Sequence, residues 1–297
     1  EVNAIASVAS PDLLSESTLY VNLEPCSHFG KTPPCASLII RKLIPRVVVG
    51  MQDPNPEVSG RGFEMLRKAG VEVTVSVMEH ECRFLNRRFI KFHQKKQPYI
   101  ILKWAQTTDG FIDRNRGLKQ VGPNWITTGA LRALVHKWRT EEQAIMIGRR
   151  TAEIDNPKLT ARLWKGKNPV RIVLDREKKL DASLNVFSDE AKTIVFNAHS
   201  SSVSENIEFV KVGFSDNLIP EIMTNLYERG ISSVIIEGGA MLLQSFINGG
   251  HWDEARVFTG NIRFLQGIKA PETGVLPTEE TWYGKDRLEV FHNSNHG

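Results

Sequence analysis

Eight residues separate Cys26 from Cys35, and the stretch that holds them, Leu23-Glu24-Pro25-Cys26-Ser27-His28-Phe29-Gly30-Lys31-Thr32-Pro33-Pro34-Cys35, is otherwise mostly turn-forming. An apolar run from Thr18 to Leu23 precedes it and reads as a buried strand, and Ala36-Ser37-Leu38-Ile39-Ile40 after it reads as the start of a helix. Two thiols at a strand-to-helix junction can grip one metal ion, and a helix N-terminus favours the thiolate. Soft thiolates and a tetrahedral pocket select zinc, although two cysteines supply only two ligands, and a catalytic site keeps one position for water. Two buried free thiols are the competing reading, against which the Pro- and Gly-rich setting argues. Two further stretches could hold a ligand. Asp53-Pro54-Asn55-Pro56 follows a strand at its carboxyl end, where open α/β sheets bind ligands, but it also reads as a turn. The run Val234-Ile235-Ile236 ends in Glu237-Gly238-Gly239 before a helical stretch starting Ala240-Met241. That is a reasonable cradle for a dinucleotide pyrophosphate, since glycines admit a close backbone approach and a helix N-terminus attracts phosphate. Taken alone the Gly pair reads as a turn, and there is no Gly-x-Gly-x-x-Gly to indicate a Rossmann domain.

The cysteine stretch resembles the zinc-dependent deaminases of bases and nucleosides, whose general pattern is His-x-Glu followed by Pro-Cys-x-x-Cys. Its longer loop, Glu-Pro-Cys-Ser-His-x-Gly-Lys-Thr-Pro-Pro-Cys, is similar to one branch, the bifunctional pyrimidine deaminase/reductase of bacterial riboflavin biosynthesis. Glu1-Val2-Asn3-Ala4 resembles the tail of that family's His-Ala-Glu-Val-x-Ala motif. The resemblance implies zinc on Cys26 and Cys35, with Glu1 as the catalytic proton shuttle and His28, Lys31, Asp53 and Asn55 at the substrate. The family's zinc-binding histidine falls two residues before Glu1, so the sequence is expected to start late in a longer chain, without the first strand of that domain.

The second half resembles the same family's NADPH-dependent reductase domain, itself similar to dihydrofolate reductase. The strand Ile101-Leu102-Lys103-Trp104-Ala105 is similar to that domain's opening, which implies Lys103 at the substrate and Ala105 at the nicotinamide. Arg139, Leu159, Arg162 and Glu237 match positions that bind the sugar-phosphate substrate in the family; Trp125, Thr127, Thr151 and Asp155, with Gly238, Gly239, Ala240 and Met241, match cofactor positions. Pro123 stands where the family often has serine. Each residue has a plainer reading beside this one: Trp125 as core, Thr127 or Thr128 as a helix cap, Asp155-Asn156-Pro157 as a turn. His136, on the same helix as Arg139, reads as packed or exposed rather than catalytic, and Cys82 as structural.

The elements that must position these residues form an α/β pattern. Strands are expected at 18–23, 46–50 and 71–77, with helices at 36–43, 62–69 (capped by Gly70) and 79–96. Alternation of this kind argues for a largely parallel sheet covered on both faces. In the last helix Arg83, Arg87, Lys91 and Lys95 share one face, and Phe84, Leu85, Phe89 and Phe92 fall towards another. This reads as a surface helix packed by its aromatics; a nucleic-acid surface is the sharper alternative. Gln97-Pro98 breaks the helix, which sets a deaminase-like domain at 1–97 and a reductase-like domain at 98–297. The second domain is expected to carry strands at 99–105, 143–148, 169–174, 192–197, 232–237, 254–259 and 287–292, and helices at 128–139, 217–229 and 240–247.

With 297 residues, 41% hydrophobic and 24% charged, the sequence has the composition of an ordinary globular protein of roughly two domains. A net charge of +4 does not demand nucleic acid as a partner. No apolar run approaches the roughly 20 residues of a membrane span, and three cysteines do not make a disulfide framework. Composition leaves cytoplasm as the default, and the resemblance implies an α/β enzyme with a cytidine-deaminase-like three-layer domain followed by a dihydrofolate-reductase-like domain, a homo-oligomer acting on a small phosphorylated pyrimidine with zinc and NADPH. The alternatives left open are a reductase with an inactive deaminase half, a nucleic-acid or nucleoside deaminase, and a regulatory binder of flavin precursors.

Overall fold

Runs rich in valine and isoleucine lie side by side as parallel strands, each face of the sheet covered by helices. The computed structural model describes residues 1–29, 33–55, 58–116 and 121–293, and the chain divides into two compact units, Glu1–Lys96 and Gln97–Gly297.

In the first unit, helix α1 (Val2–Ala6) and a 3-10 turn at Pro11–Glu16 lead into strand β1 (Thr18–Leu23). Helix α2 (Cys35–Arg41), strand β2 (Arg46–Met51), helix α3 (Arg61–Lys68) and strand β3 (Glu72–Thr74) follow. The three strands pair in parallel in the order β1-β2-β3, with Ile39, Val47, Val49, Phe63 and Leu66 in the core between sheet and helices. β3 stops well short of the expected Val77. Ser76 and Met78 both take positive φ, 61° and 53°, which a strand cannot continue through.

The helix expected at 79–96 is two helices, α4 (Glu79–Leu85) and α5 (Arg87–Lys95), parted at Asn86, whose side chain donates to the Cys82 carbonyl at 2.9 Å. The division into a solvated basic face and a packed aromatic face fails here. Lys91 is buried, whereas Leu85 is exposed and Phe84 lies half exposed with the Arg87 guanidinium 4.2 Å from its ring centre.

Glu24, buried at the end of β1, holds the loops around the cysteine stretch. Its carboxylate accepts the N–H groups of Asp53, Gly60 and Gly62 at 3.1, 3.0 and 2.9 Å. A Cβ on Gly62 would lie 2.1 Å from the Pro25 carbonyl oxygen, so the close approach needs glycine. Glu24→Ala strands three N–H groups, those of Asp53 and Gly62 buried and that of Gly60 partly so, and is expected to lower stability by about 3 kcal/mol. A urea melt of the full chain reads this as an earlier transition, and an unchanged midpoint would refute it.

The second unit opens with β4 (Tyr99–Thr107) and β5 (Phe111–Asp113), then α6 (Gly129–Glu141), β6 (Ala144–Gly148) and α7 (Arg149–Asp155). Next come β7 (Val170–Leu174), β8 (Thr193–Asn197), β9 (Ser202–Val203), β10 (Ile207–Lys211) and α8 (Leu218–Glu228). The unit ends with β11 (Ser233–Glu237), α9 (Ala240–Asn248), β12 (Glu254–Gly260), β13 (Ile268–Lys269), β14 (Glu279–Tyr283) and β15 (Asp286–His292).

Among the described residues the main sheet has ten strands in the order β14-β15-β12-β4-β11-β6-β7-β8-β10-β9. From β12 to β10 all neighbours are parallel, so their carboxyl ends share one edge. Strand alternation sends Ile100, Leu102, Met146 and Ile236 to the face under α8 and α9. It sends Ile145, Ile147, Ile235 and Phe258 to the face under Leu131 and Trp138 of α6. No helix among the described residues is long and apolar enough to cross a membrane.

Candidate active site

The carboxyl ends of β4, β11 and β6 open into a cavity of about 490 Å³ in the second unit, the usual place for a ligand on a parallel sheet. Lys103 and Glu237 are register partners across β4 and β11, so their side chains emerge on the same face, the one covered by α6. Arg139, on the last turns of α6, reaches the same point. Its Nη2 donates to Glu237 Oε2 at 2.9 Å, and its Nη1 donates to the Thr160 carbonyl at 3.1 Å. Glu237 Oε1 and Arg139 Nε are buried without a partner among the described residues.

Burial pushes the Lys103 ammonium below the usual lysine range, with Glu237 opposing and Arg139 assisting. Burial would raise Glu237, but the charges of Arg139 and Lys103 outweigh it and hold the carboxyl below its ordinary range. The cluster is therefore an anionic acceptor between two cations, one of which gives up its proton readily.

His136 lines the same cavity and is buried, with its Nδ1 3.5 Å from the Leu163 N–H. Burial, then Arg139 and Arg162, push its pKa down from 6.5 to about 4, against Glu237 and a hydrogen bond with the Thr160 backbone. The ring is neutral in the folded protein and charged in the unfolded chain below about pH 6.5, so its contribution is complete above that pH. It declines as pH falls towards 4, by up to ~3 kcal/mol. Denaturant melts across this interval should show the decline, and His136→Phe should flatten it; an equal pH slope in the variant would refute the assignment.

The expected residues of this half gather with one exception. Lys103, Ala105, Arg139, Leu159, Arg162 and Glu237 line the cavity, as do Trp125, Thr127, Thr151, Asp155, Gly238, Gly239 and Ala240. Met241 does not line it and is 87% exposed. Trp125 is not core; it is 57% exposed at the cavity, with the Arg132 guanidinium 4.7 Å from its ring centre. Thr151 Oγ1 accepts the Gly239 N–H at 3.2 Å, tying α7 to the turn before α9.

Asp155 is engaged by Arg116, whose Nη2 donates to it at 3.1 Å and to Asp113 at 2.6 Å, while Nη1 donates to the Gly122 carbonyl. Burial nevertheless lifts the Asp155 carboxyl above its ordinary value, against the opposing pull of Arg116. Sequence reasoning missed Arg116, Arg132, Arg150 and Lys158, all cavity residues. With Lys103, Arg139 and Arg162 they make cations outnumber the cavity's carboxylates, which suits a phosphorylated ligand.

In the first unit the two thiols meet. The Cys35 N–H points at Cys26 Sγ, 3.2 Å away, and the Cys35 thiol lies within hydrogen-bonding reach of both Cys26 and Glu1. Cys35 is the first residue of α2, where a thiolate was expected. Instead burial, then the Glu1 carboxylate and Cys26, push its pKa up to about 12. Without a cation to offset them, the buried site and its neighbouring acids outweigh the seven-residue helix.

Cys26 and Cys35 are of the residue type that a zinc set uses and are two members of one at most. Among the described residues, no three or more His, Cys, Asp and Glu are grouped to hold a metal. His28 is exposed, and Lys31 lies outside the described residues. Asp53 is buried, its Oδ1 accepting the Asn55 N–H at 2.8 Å in an Asx turn, and Asn55 is half-buried beside it.

Residues 98–262 match the family described as the RibD C-terminal domain. The riboflavin biosynthesis protein RibD of Aquifex aeolicus is 40% identical over 273 residues, a match covering 89% of this chain and 75% of that protein. Its counterpart from Bacillus amyloliquefaciens is 39% identical over 280 residues, covering 91% and 74%. The solved structure of a diaminohydroxyphosphoribosylaminopyrimidine deaminase/5-amino-6-(5-phosphoribosylamino)uracil reductase from Thermotoga maritima has a TM-score of 0.80 to this chain at 37% identity, covering 91% of this chain and 78% of that one.

Proposed function

Because the chain belongs to the family of the riboflavin biosynthesis protein RibD, we propose that it performs two reactions on one phosphorylated pyrimidine. Residues 1–97 would deaminate a diaminopyrimidinone bearing a ribosylamino phosphate, and residues 98–297 would reduce its ribosyl side chain to ribityl with NADPH. The observation that carries the reading is the meeting of Lys103, Arg139 and Glu237 in a cavity whose lining also includes Gly238, Gly239 and Ala240.

NADPH, when bound, would supply the hydride. Reduction at C1 of the ribosyl group would open the bond from C1 to the ring oxygen, and that oxygen would need a proton. Lys103 Nζ, its cation disfavoured by burial, holds a proton suited to that transfer. Glu237 Oε1, buried and without a partner among the described residues, is free to accept a sugar hydroxyl. Arg139 fixes Glu237 through Nη2 and places its positive charge, with an Nε that has no partner among the described residues, beside the sugar phosphate. Gly238 and Gly239 leave the backbone open to a pyrophosphate where α9 begins.

In the first unit Cys26 and Cys35 would be two of the zinc ligands. Zinc there would supply Lewis acidity towards water. Glu1, beside Cys35, would take the proton and hand it to the departing ammonia.

A reductase acting alone is the second reading, favoured by the lack of a three-membered ligand group among the described residues. Purified protein, supplied with the diaminopyrimidinone substrate, separates the two. NADPH loss together with released ammonia is the expected result. NADPH loss without ammonia selects the second reading, and neither signal from folded protein refutes both.

A further inference from the structure

The cavity wall that carries Leu159 and Arg162 has an unusual backbone. Asn156, which ends α7, and Leu159 both stand at positive φ, 41° and 55°. Side chains other than glycine seldom occupy this region, and they remain there only where the surroundings hold them. Both residues line the cavity, so whatever holds them also sets its shape.

The holder lies outside the cavity. Asn185 donates its backbone N–H to Asn156 Oδ1 at 2.7 Å and its Nδ2 to the Asn156 carbonyl at 2.8 Å. The two bonds fix both the side chain and the main chain of the residue that starts the wall. Asn185 opens the 3-10 turn Asn185–Phe187, and that turn is gripped from beneath. Arg171, on β7, donates from Nη1 to the carbonyls of Asn185, Val186 and Ser188 at 2.9, 2.8 and 3.1 Å. Arg171 is completely buried, and its Nε and Nη2 find no partner among the described residues. A guanidinium desolvated in this way stabilises a fold poorly compared with an apolar residue of similar size. Its position is explained by what it holds.

We infer that Asn185 is a positioning residue of the reductase, acting through Asn156 on the wall that carries Leu159 and Arg162, with Arg171 as its anchor. The functional part of this inference rests on the reductase reading above. Asn185 touches neither the cavity nor the reacting atoms, so its loss should alter how the substrate is gripped rather than the chemical step.

The test uses the full chain carrying Asn185→Ala, which removes the Nδ2 bond and keeps the backbone one. Amide hydrogen exchange across 156–163 is expected to quicken about tenfold, while the strands of the main sheet exchange as before. The KM for the phosphorylated pyrimidine is expected to rise about tenfold, the worth of one hydrogen bond, with kcat within about twofold. Arg171→Met, an apolar replacement of similar length that leaves the carbonyls of Asn185, Val186 and Ser188 without their donor, should reproduce the KM rise together with an earlier melting midpoint. Unchanged exchange across 156–163 would overturn the inference. So would a fall in kcat that follows a general loss of stability with KM intact. A wild-type protein that oxidises no NADPH would refute the reductase reading instead, and the exchange comparison would still decide whether the clamp exists.

Discussion

Arg139→Ala lowers kcat/KM for NADPH-dependent reduction by about 10³-fold and leaves ammonia release from the same pyrimidine unchanged. Arg139 is half of a largely buried, hydrogen-bonded ion pair with Glu237, and truncating one partner of such a pair typically costs about 2–5 kcal/mol, or roughly 30-fold to several thousand-fold. Part of that cost appears on Glu237. Its carboxyl is held below the ordinary range because Arg139 and Lys103 outweigh burial. With Arg139 gone, burial dominates, the carboxyl moves up, and the acid limb of the pH–rate profile moves to higher pH. Arg139→Lys restores a charge but not the fork that reaches both Glu237 and the Thr160 carbonyl, so it should recover only part of the loss. Steady-state kinetics across pH checks all three statements. A variant with wild-type kcat/KM, or with an unmoved acid limb, would show that Arg139 serves the fold and not the substrate.

Cys35→Ala is the second large effect, and it falls on the other reaction. The substitution removes one of the two thiols that meet in the first unit. Bound zinc, measured by atomic absorption on the purified chain, is expected to drop to background. Ammonia release should fall by about 10³-fold or more, the scale of a Lewis acid worth several kcal/mol. NADPH oxidation with pyrimidine that is already deaminated should remain within about twofold of the wild type, because its cavity is lined only by residues of the second unit. A variant that still binds zinc and still releases ammonia would remove Cys35 from the reaction.

Much of the reductase cavity is readable from local sequence because its residues interrupt apolar runs. Lys103 interrupts the buried run in the middle of β4, and Glu237 ends that of β11, so each stands out without help from the fold. Gly238-Gly239 marks the turn that follows. What was not legible depends on partners distant in the chain. Arg116 meets Asp155 across 39 positions, Asn185 meets Asn156 across 29, and Glu24 meets Gly62 across 38. None of these residues stands in a local pattern that names its partner.

Helix α7 went unseen because only Ala152 and Ile154 of its seven residues are buried, too few to show a period. Helix periodicity misled at Lys91, since a four-residue spacing of cations describes a shared face and not what covers it. The cysteine loop placed the thiol pair but did not show that burial and Glu1 would raise the Cys35 pKa.

The most direct measurement of the central claim is the fate of the hydride. The full chain is incubated with the phosphorylated ribosylaminopyrimidine and NADPH deuterated at the transferable position of the nicotinamide, and the product is examined by mass spectrometry and NMR. The account predicts one deuterium per product molecule, located on C1 of a ribityl side chain, and the same label in the product that Arg139→Ala forms far more slowly. Deuterium at any other carbon, or NADPH consumed with no deuterium in the pyrimidine product, would contradict it.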